Sequence, residues 1–245
     1  MLGCRRMTQR FGNNGRVHRT VFLLFTVLGS LTAETISDGD RAYLISHLEM
    51  TREFVRDTTR GLTNEQWLYE PGPRRWSIAQ CIDHLALTEE YVLQLVRKQM
   101  LTSNEPLRGA FPSTSKSRKQ PADAPRRMSH VEDAFILRWM TDRTPATGTS
   151  VEQRPPIEEI APRTKIDEPQ SALEHFFRAR TATINFVRTT QDDLRGHFAL
   201  SPMEGFPNMT FSDAYQWLLR MSTHTERHLM QVHDVRRSGG YPHSQ

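Results

Sequence analysis

Two histidines near the carboxyl end of the chain, His224 and His228, have the spacing of a metal-binding pair. Four residues apart on a helix, they lie about 40° apart around the axis and about 6 Å apart along it. At that spacing two imidazoles can reach one metal ion. Trp217 and Met221 share this face, so we expect both imidazoles to point into the protein. His233, about 180° around the helix from His224, is expected to face solvent.

A third ligand should come from another helix, because two histidines on one helix rarely hold a divalent ion tightly. His84 is the stronger candidate, since it lies at the border of an apolar helical stripe, and His47, beside Leu48, is the weaker one. Histidine is also a general polar residue that hydrogen-bonds carbonyls at such borders, so spacing alone leaves a structural interpretation open. Cys81, one turn before His84, is expected to be a small buried hydrophobe.

Four amphipathic helices would carry these residues, with no strand-period run of comparable length. Capping signals at residues 38–40, 77–80 and 210–213 and a first-turn proline at Pro169 mark their starts. The predicted helices cover about residues 38–59, 77–100, 169–190 and 210–237. Residues 103–168 form a long irregular insertion between the second and third helices, with a helical island near 131–140. We therefore expect an all-α fold, an antiparallel four-helix bundle, in one domain of residues 34–245 with its core at 38–237.

The first 33 residues have the order of a secretory signal peptide. Arginines precede an uncharged apolar run from Val21 to Leu31, which is short for a bilayer span and is followed by Ala33. We expect export to the periplasm or secretion, with no stable membrane span in the mature chain. The alternatives are an uncleaved anchor, or a mis-assigned start on a cytoplasmic protein.

The formal charge of +4 belongs to this leader. Removing its five arginines from the 32 basic residues leaves 27, against 28 acidic residues, so the rest of the chain has a net charge of −1. A near-neutral body disfavours nucleic-acid binding, and the basic run at 116–119 has no interleaved aromatic residues. The body contains one cysteine, so it cannot close an internal disulfide.

Two motifs resemble those of the DinB-like family, also called the DinB/YfiT metalloenzymes. RWSIAQCIDHL at residues 75–85 resembles its tryptophan-serine helix start with a His-Leu pair, and HTERHLMQV at 224–232 resembles its H-x-x-R-H-x-x-Q-[IV] helix. Arg180 and the turn at 63–67, which begins with a capping box from Thr63 to Gln66, also fit. The resemblance implies an up-down-down-up four-helix bundle, often a homodimer, that binds a divalent metal ion. By position its ligands are His84, His224 and His228.

Three neutral imidazoles leave coordination positions open, as in a catalytic metal site. The resemblance implies thiol-dependent transferases and isomerases or metal-dependent hydrolases, and hence a small-molecule substrate. It also implies a low-molecular-weight thiol as one cosubstrate. Zinc, nickel and iron are not distinguished. No catalytic general base is assigned, because Asp83 lies about 100° around the helix from His84 and Glu226 lies on the far side from the histidine pair.

Residues that orient ligands or line a pocket are expected next to the histidines. Gln231 lies one turn beyond His228, and Thr88 and Tyr91 continue the His84 side of the second helix. Each is equally well explained as a polar residue at the border of the core. The alternative function is non-catalytic: the metal would be structural and the bundle would act as an interaction module.

Overall fold

A computed structural model describes residues 35–73, 75–108, 133–138, 158–200 and 211–243. The predicted leader lies outside these residues. The helices are α1 (Asp38–Thr59), α2 (Asn64–Leu68), α3 (Ile78–Leu95), α4 (133–138), α5 (Pro169–Thr189) and α6 (Ala214–Arg237). A π turn, Val96–Met100, extends α3, and strands β1 (Phe198–Leu200) and β2 (Phe211–Asp213) pair antiparallel. No helix within the described ranges is long and apolar enough to cross a bilayer.

Reciprocal side-chain caps set the starts of the helices, as the sequence predicts for α2 and α3. Ser77 Oγ accepts from the backbone N–H of Gln80, and Gln80 Oε1 accepts from the N–H of Ser77. Thr63 and Gln66 make the same pair at α2. Both boxes satisfy N–H groups that a helix start leaves without a partner. Gly61, with φ of 71°, lies just beyond the end of α1 and makes the left-handed turn that follows it.

The last helix starts later than the sequence suggested. Asp213 is its N-cap, with Gln216 as the reciprocal partner, while Thr210 lies outside the described residues. Residues 211–213, expected to open the helix, belong instead to β2. The predicted all-α class is confirmed, and this small sheet is an addition that the sequence did not show, because a strand of three residues is too short to show an alternating pattern.

The four long helices run up, down, down and up. Leu44 at the start of α1 shares a core cluster with Val187 at the end of α5 and Leu218 at the start of α6. A second cluster joins Ile78 at the start of α3 with Val235 at the end of α6. The predicted four-helix bundle is confirmed, in the order that the family resemblance implies. Because α3 and α5 run parallel, the chain between them must return along the bundle, about 27 Å for an 18-residue helix.

The described parts of the insertion pack against the bundle. Leu107 forms an isolated parallel bridge with Ala199 beside the small sheet. The helix α4 lies within the predicted helical island, and Asp133 accepts a hydrogen bond from Arg195 at 2.6 Å. Residues 158–166, here called the covering segment, contain one 3₁₀ turn, Glu158–Ile160, and lie along the first half of α3.

A buried ion pair joins all four long helices. Arg180 of α5 is 0% exposed, and its guanidinium donates to both carboxylate oxygens of Glu89 on α3 at 3.0 Å. It also donates to the carbonyl of Leu48 and the hydroxyl of Thr51 on α1, and to the hydroxyl of Thr225 on α6. A buried cation needs such acceptors. The network therefore fixes the level at which α3 faces α6.

Candidate metal centre

His84 of α3 converges with His224 and His228 of α6. One ring nitrogen from each histidine lies within 4.8 Å of the other two, and the Nε2 atoms of His224 and His228 are 3.0 Å apart. The described part of the chain holds no other such group of histidine, cysteine or carboxylate side chains. His47, the other candidate for a third ligand, packs against the ring of Tyr43 at 4.6 Å instead.

Two of the three imidazoles are held by acceptors on their far nitrogens. His84 Nδ1–H donates to the carbonyl of Ile160 in the covering segment, at 2.5 Å. His228 Nδ1–H donates to Oε1 of Gln231, also at 2.5 Å. A proton on Nδ1 leaves the Nε2 lone pair free to face the centre of the cluster, as in metal-bound histidines. The sequence indicated Gln231 but not Ile160, whose contribution is a main-chain carbonyl that any residue type could supply.

Burial keeps the three imidazoles neutral. His84 and His228 are each 4% exposed. Desolvation lowers the pKa of His84 to about 4 and places the pKa values of His224 and His228 well below the usual 6.5. Neighbouring positive charge, including that of Arg227, adds to the lowering at His224. Neutral imidazole is the form that binds a metal, so this donor set fits a divalent transition-metal ion.

Trp76 forms a wall of the cluster. Its ring lies 4.9 Å from that of His84 and is stacked at 6.0 Å over that of His228, with an interplanar angle of 23°. The tryptophan comes directly before Ser77, the N-cap of α3. Its place in the helix-start motif was visible in the sequence, whereas its contact with both histidines depends on the packing of α6 beside α3.

The amino-acid sequence matches the DinB superfamily over residues 47–232. This range covers most of the chain and includes all three histidines and Trp76. The chain belongs to the DinB superfamily. No curated protein matches it in sequence. Among solved structures, it is similar to YfiT from Bacillus subtilis, described as a probable metal-dependent hydrolase with an unusual four-helix bundle topology. The TM-score is 0.47 and the identity 16%, over 85% of this chain and 93% of YfiT.

Thr88 and Asp83 of α3 in this DinB-superfamily chain make hydrogen bonds and ion pairs within the fold. Thr88 is buried, but its hydroxyl donates to the main-chain carbonyl of His84 at 2.8 Å, so it contacts the helix and not the imidazole. Tyr91 is half-buried on the same side of α3. Asp83 is buried in an ion pair with Arg163 of the covering segment, at 2.6 Å. This pair and the Ile160 carbonyl bond hold the covering segment against the histidine level of α3.

The remaining residues singled out in the sequence lie away from the cluster, with one exception. Glu226 and the exposed His233 line a groove on the outer face, together with Phe54 of α1. Both were expected to lie on that side. Cys81 is fully buried among apolar residues, and burial raises the pKa of its thiol to about 12. Arg227 is half-buried, and its charge acts on the histidine pair.

Proposed function

We propose that this protein is a metal-dependent enzyme in which His84, His224 and His228 hold one divalent transition-metal ion. The observation that carries this proposal is the convergence of three ring nitrogens within 4.8 Å, two of the rings being oriented by acceptors on Nδ1. When bound, such an ion is a Lewis acid that lowers the pKa of a water or thiol. Three protein ligands, with no fourth in the described ranges, favour an open catalytic site over a closed structural one.

The buried carboxylates of α3 favour a reaction that needs no carboxylate base. Asp83 is engaged by Arg163 and Glu89 by Arg180, so both buried acids of α3 serve the fold. Deprotonation of the nucleophile therefore depends on the three-histidine site itself. Water as nucleophile gives a hydrolase, and a low-molecular-weight thiol gives a transferase. A thiol with a pKa near 8.5 needs less lowering than water at about 15.7.

The chain's own contribution is to present and shield the open side. Ile160 and Gln231 hold two imidazoles in a fixed tautomer and orientation. The indole of Trp76 covers His84 and His228 and excludes solvent from that side. A small-molecule substrate would therefore approach from a side that Trp76 does not cover, and fixed ligands would contribute to catalysis by positioning it.

Metal uptake tests the assignment directly. Protein freed of adventitious metal, then incubated with zinc, nickel or iron(II) and desalted, should retain about one ion per chain, as one such site requires. The double variant His224→Ala/His228→Ala should retain none. His233→Ala is the matched control, since this histidine lies on the same helix but faces solvent. Metal retention by the double variant equal to that of the control would overturn the ligand assignment.

Activity panels decide between the reaction types. Metal-loaded protein is incubated with ester and amide substrates, and separately with electrophiles plus a small thiol. Turnover that disappears in the double histidine variant supports an enzyme, and dependence on added thiol identifies a transferase. A protein that binds metal tightly, gains stability from it and turns over nothing in either panel would support the alternative, a structural ion in an interaction module.

We also propose that residues 1–33 direct export and are removed. The supporting observation is the order of arginines, apolar run and Ala33 in the leader. Sequencing the amino terminus of protein isolated from its native compartment should find Glu34 first. An intact Met1 on cytoplasmic protein would refute export.

The family resemblance also implies a homodimer, and sedimentation of the same material tests it.

A further inference from the structure

The covering segment is attached to α3 at two consecutive residues of that helix. The Nδ1–H of His84 donates to the carbonyl of Ile160 at 2.5 Å, and the carboxylate of Asp83 accepts from Arg163. Consecutive side chains of a helix point about 100° apart around its axis. The two attachments therefore act in different directions, and together they fix both the position and the orientation of the segment on α3.

Arg163 surrounds the buried carboxylate of Asp83, whose side chain is 1% exposed. Oδ2 accepts from the backbone N–H of Arg163 at 2.9 Å and from Nε at 3.2 Å, and Oδ1 accepts from Nη2 at 2.6 Å. Within the described ranges, every hydrogen bond to this carboxylate comes from Arg163. A buried charge needs such donors. Without the guanidinium, the docked segment would bury an anion that keeps one backbone donor.

The other contacts of the covering segment hold it near α3 with less direction. Ile160 and Ile166 are buried in two different core clusters, and Gln80 Nε2 donates to the carbonyl of Thr164 at 3.5 Å. Burial of apolar side chains is non-directional, whereas the planar guanidinium meets a carboxylate in one geometry. The ion pair is thus the contact that determines where the Ile160 carbonyl points.

His84 differs from His228 in the origin of its acceptor. Gln231, which orients His228, is three residues away on the same helix, so α6 alone brings the two together. The acceptor for His84 lies 76 residues further along the chain, and it meets the imidazole only while the covering segment is docked. Loss of such an acceptor lowers metal affinity about ten- to hundred-fold. The affinity of the three-histidine cluster should therefore depend on docking.

We propose that Arg163 is a positioning residue of the metal centre. Its pair with Asp83 docks the covering segment so that the Ile160 carbonyl orients His84, and the docked segment is stabilised in return when an ion binds. The return effect follows from linkage, because the factor by which docking raises metal affinity equals the factor by which metal favours docking. This inference rests on the proposed function, since the histidines must hold the ion.

The first test measures cobalt(II) affinity by chelator competition on the full chain. Arg163→Met should lower the affinity about tenfold, the lower end of the range for a lost orienting partner, because the backbone N–H at 163 remains. Arg163→Lys should recover part of the loss, since its ammonium still neutralises Asp83. Lys165→Met is the matched control, because Lys165 pairs with the exposed Asp167 of the neighbouring chain. It should stay within about twofold of wild type.

The d–d absorption of the bound cobalt separates positioning from a merely structural role. Arg163→Met should change this spectrum, because the His84 ring loses its fixed orientation, whereas a structural pair would lower stability and leave the affinity and the spectrum of the folded protein unchanged. More than half of the Arg163 side chain faces solvent, so its replacement removes little of the core. Equal cobalt affinity of Arg163→Met and Lys165→Met would overturn the inference.

The second test needs no change at Arg163 and measures hydrogen exchange in the wild type. The Arg163 amide donates to Asp83 Oδ2, so its exchange rate reports local opening of the covering segment. Metal loading should slow this exchange about tenfold, by the same linkage. His224→Ala/His228→Ala should show no such slowing. An unchanged rate in metal-loaded wild type, or equal slowing in the double variant, would overturn the inference. Failure of the wild type to retain any metal would instead overturn the proposed function.

Discussion

Two buried polar groups lie at neighbouring levels of the bundle and are built in opposite ways. Around Arg180 donors meet acceptors: the guanidinium reaches the Glu89 carboxylate, hydroxyls and carbonyls on the other three long helices. Around His84 the Nε2 atoms of His84 and His228 carry lone pairs that face the cluster, because the Ile160 carbonyl accepts a hydrogen bond from His84 Nδ1–H and Gln231 Oε1 accepts one from His228 Nδ1–H. The first group is complete within the protein, whereas the second presents lone pairs to a common point.

The difference separates a structural polar group from a functional one. Buried polar atoms in a folded protein are nearly always hydrogen-bonded, and two Nε2 lone pairs that face one point beside a third imidazole suit a bound cation. The Arg180 network also lies close to the histidines along the bundle. Through Glu89 on α3 and Thr225 on α6 it holds these two helices in register. The Arg180 network thereby helps to pre-organise the three-histidine cluster.

The largest effect should come from breaking the complete network. Arg180→Met leaves the Glu89 carboxylate buried without its partner, and we expect a loss of about 3–5 kcal/mol in the free energy of unfolding. Urea denaturation measures it. The control is Arg188→Met, which breaks the half-exposed pair with Glu49 and should cost less than about 1 kcal/mol. Similar losses in both variants would show that the central network is not the determinant of stability.

The second effect concerns the histidine cluster and is the gain in stability when metal binds. Free metal at one hundred times its dissociation constant should stabilise the protein by about 2.7 kcal/mol, because it binds the folded state only. His84→Ala should abolish this gain. His47→Ala should keep it, since that ring packs on Tyr43 and not on the cluster. Equal loss in the two variants would count against the choice of His84 as third ligand.

The sequence predicted those features of this comparison that depend on short spacings. The reciprocal caps at Ser77 and Thr63 involve residues three apart, and the histidine pair on α6 involves residues four apart, so helical geometry alone brings them together. Placing His84 opposite the pair required the family resemblance as well, because the spacing left His47 open. The order of the helices likewise came from the resemblance.

The features that the sequence did not predict depend on contacts between segments that are far apart along the chain. The carbonyl that orients His84 belongs to Ile160, 76 residues further along the chain, and carries no side-chain signal. Arg163, which pins the covering segment to Asp83, is 80 residues from its partner. Periodicity reveals neither the small sheet, with three residues in each of its two strands, nor the buried Asp133 in the insertion, since each is stabilised by tertiary packing.

The third-largest effect should come from Gln231, which orients the His228 ring. Gln231→Leu removes the group that accepts from His228 Nδ1, and we expect metal affinity to fall about ten- to hundred-fold, the usual cost of losing such a partner. Competition with a chromogenic chelator measures it. Gln231→Glu keeps an acceptor oxygen and should restore most of the affinity. Equal weakening by the two substitutions would mean that side-chain volume, rather than the hydrogen bond, is what matters.

The smallest effect should come from Thr88. The sequence grouped it with Gln231, but its hydrogen bond is to the main chain and not to an imidazole. Its hydroxyl donates to a main-chain carbonyl of its own helix, so Thr88→Val should cost about 1 kcal/mol of stability. Metal affinity should not change, since no imidazole loses a partner. Chelator competition and urea denaturation on the same sample separate the two quantities. A tenfold fall in metal affinity would instead assign Thr88 to the metal centre. It would mean that the hydrogen bond from Thr88 to the main-chain carbonyl of His84 helps to orient the His84 ring.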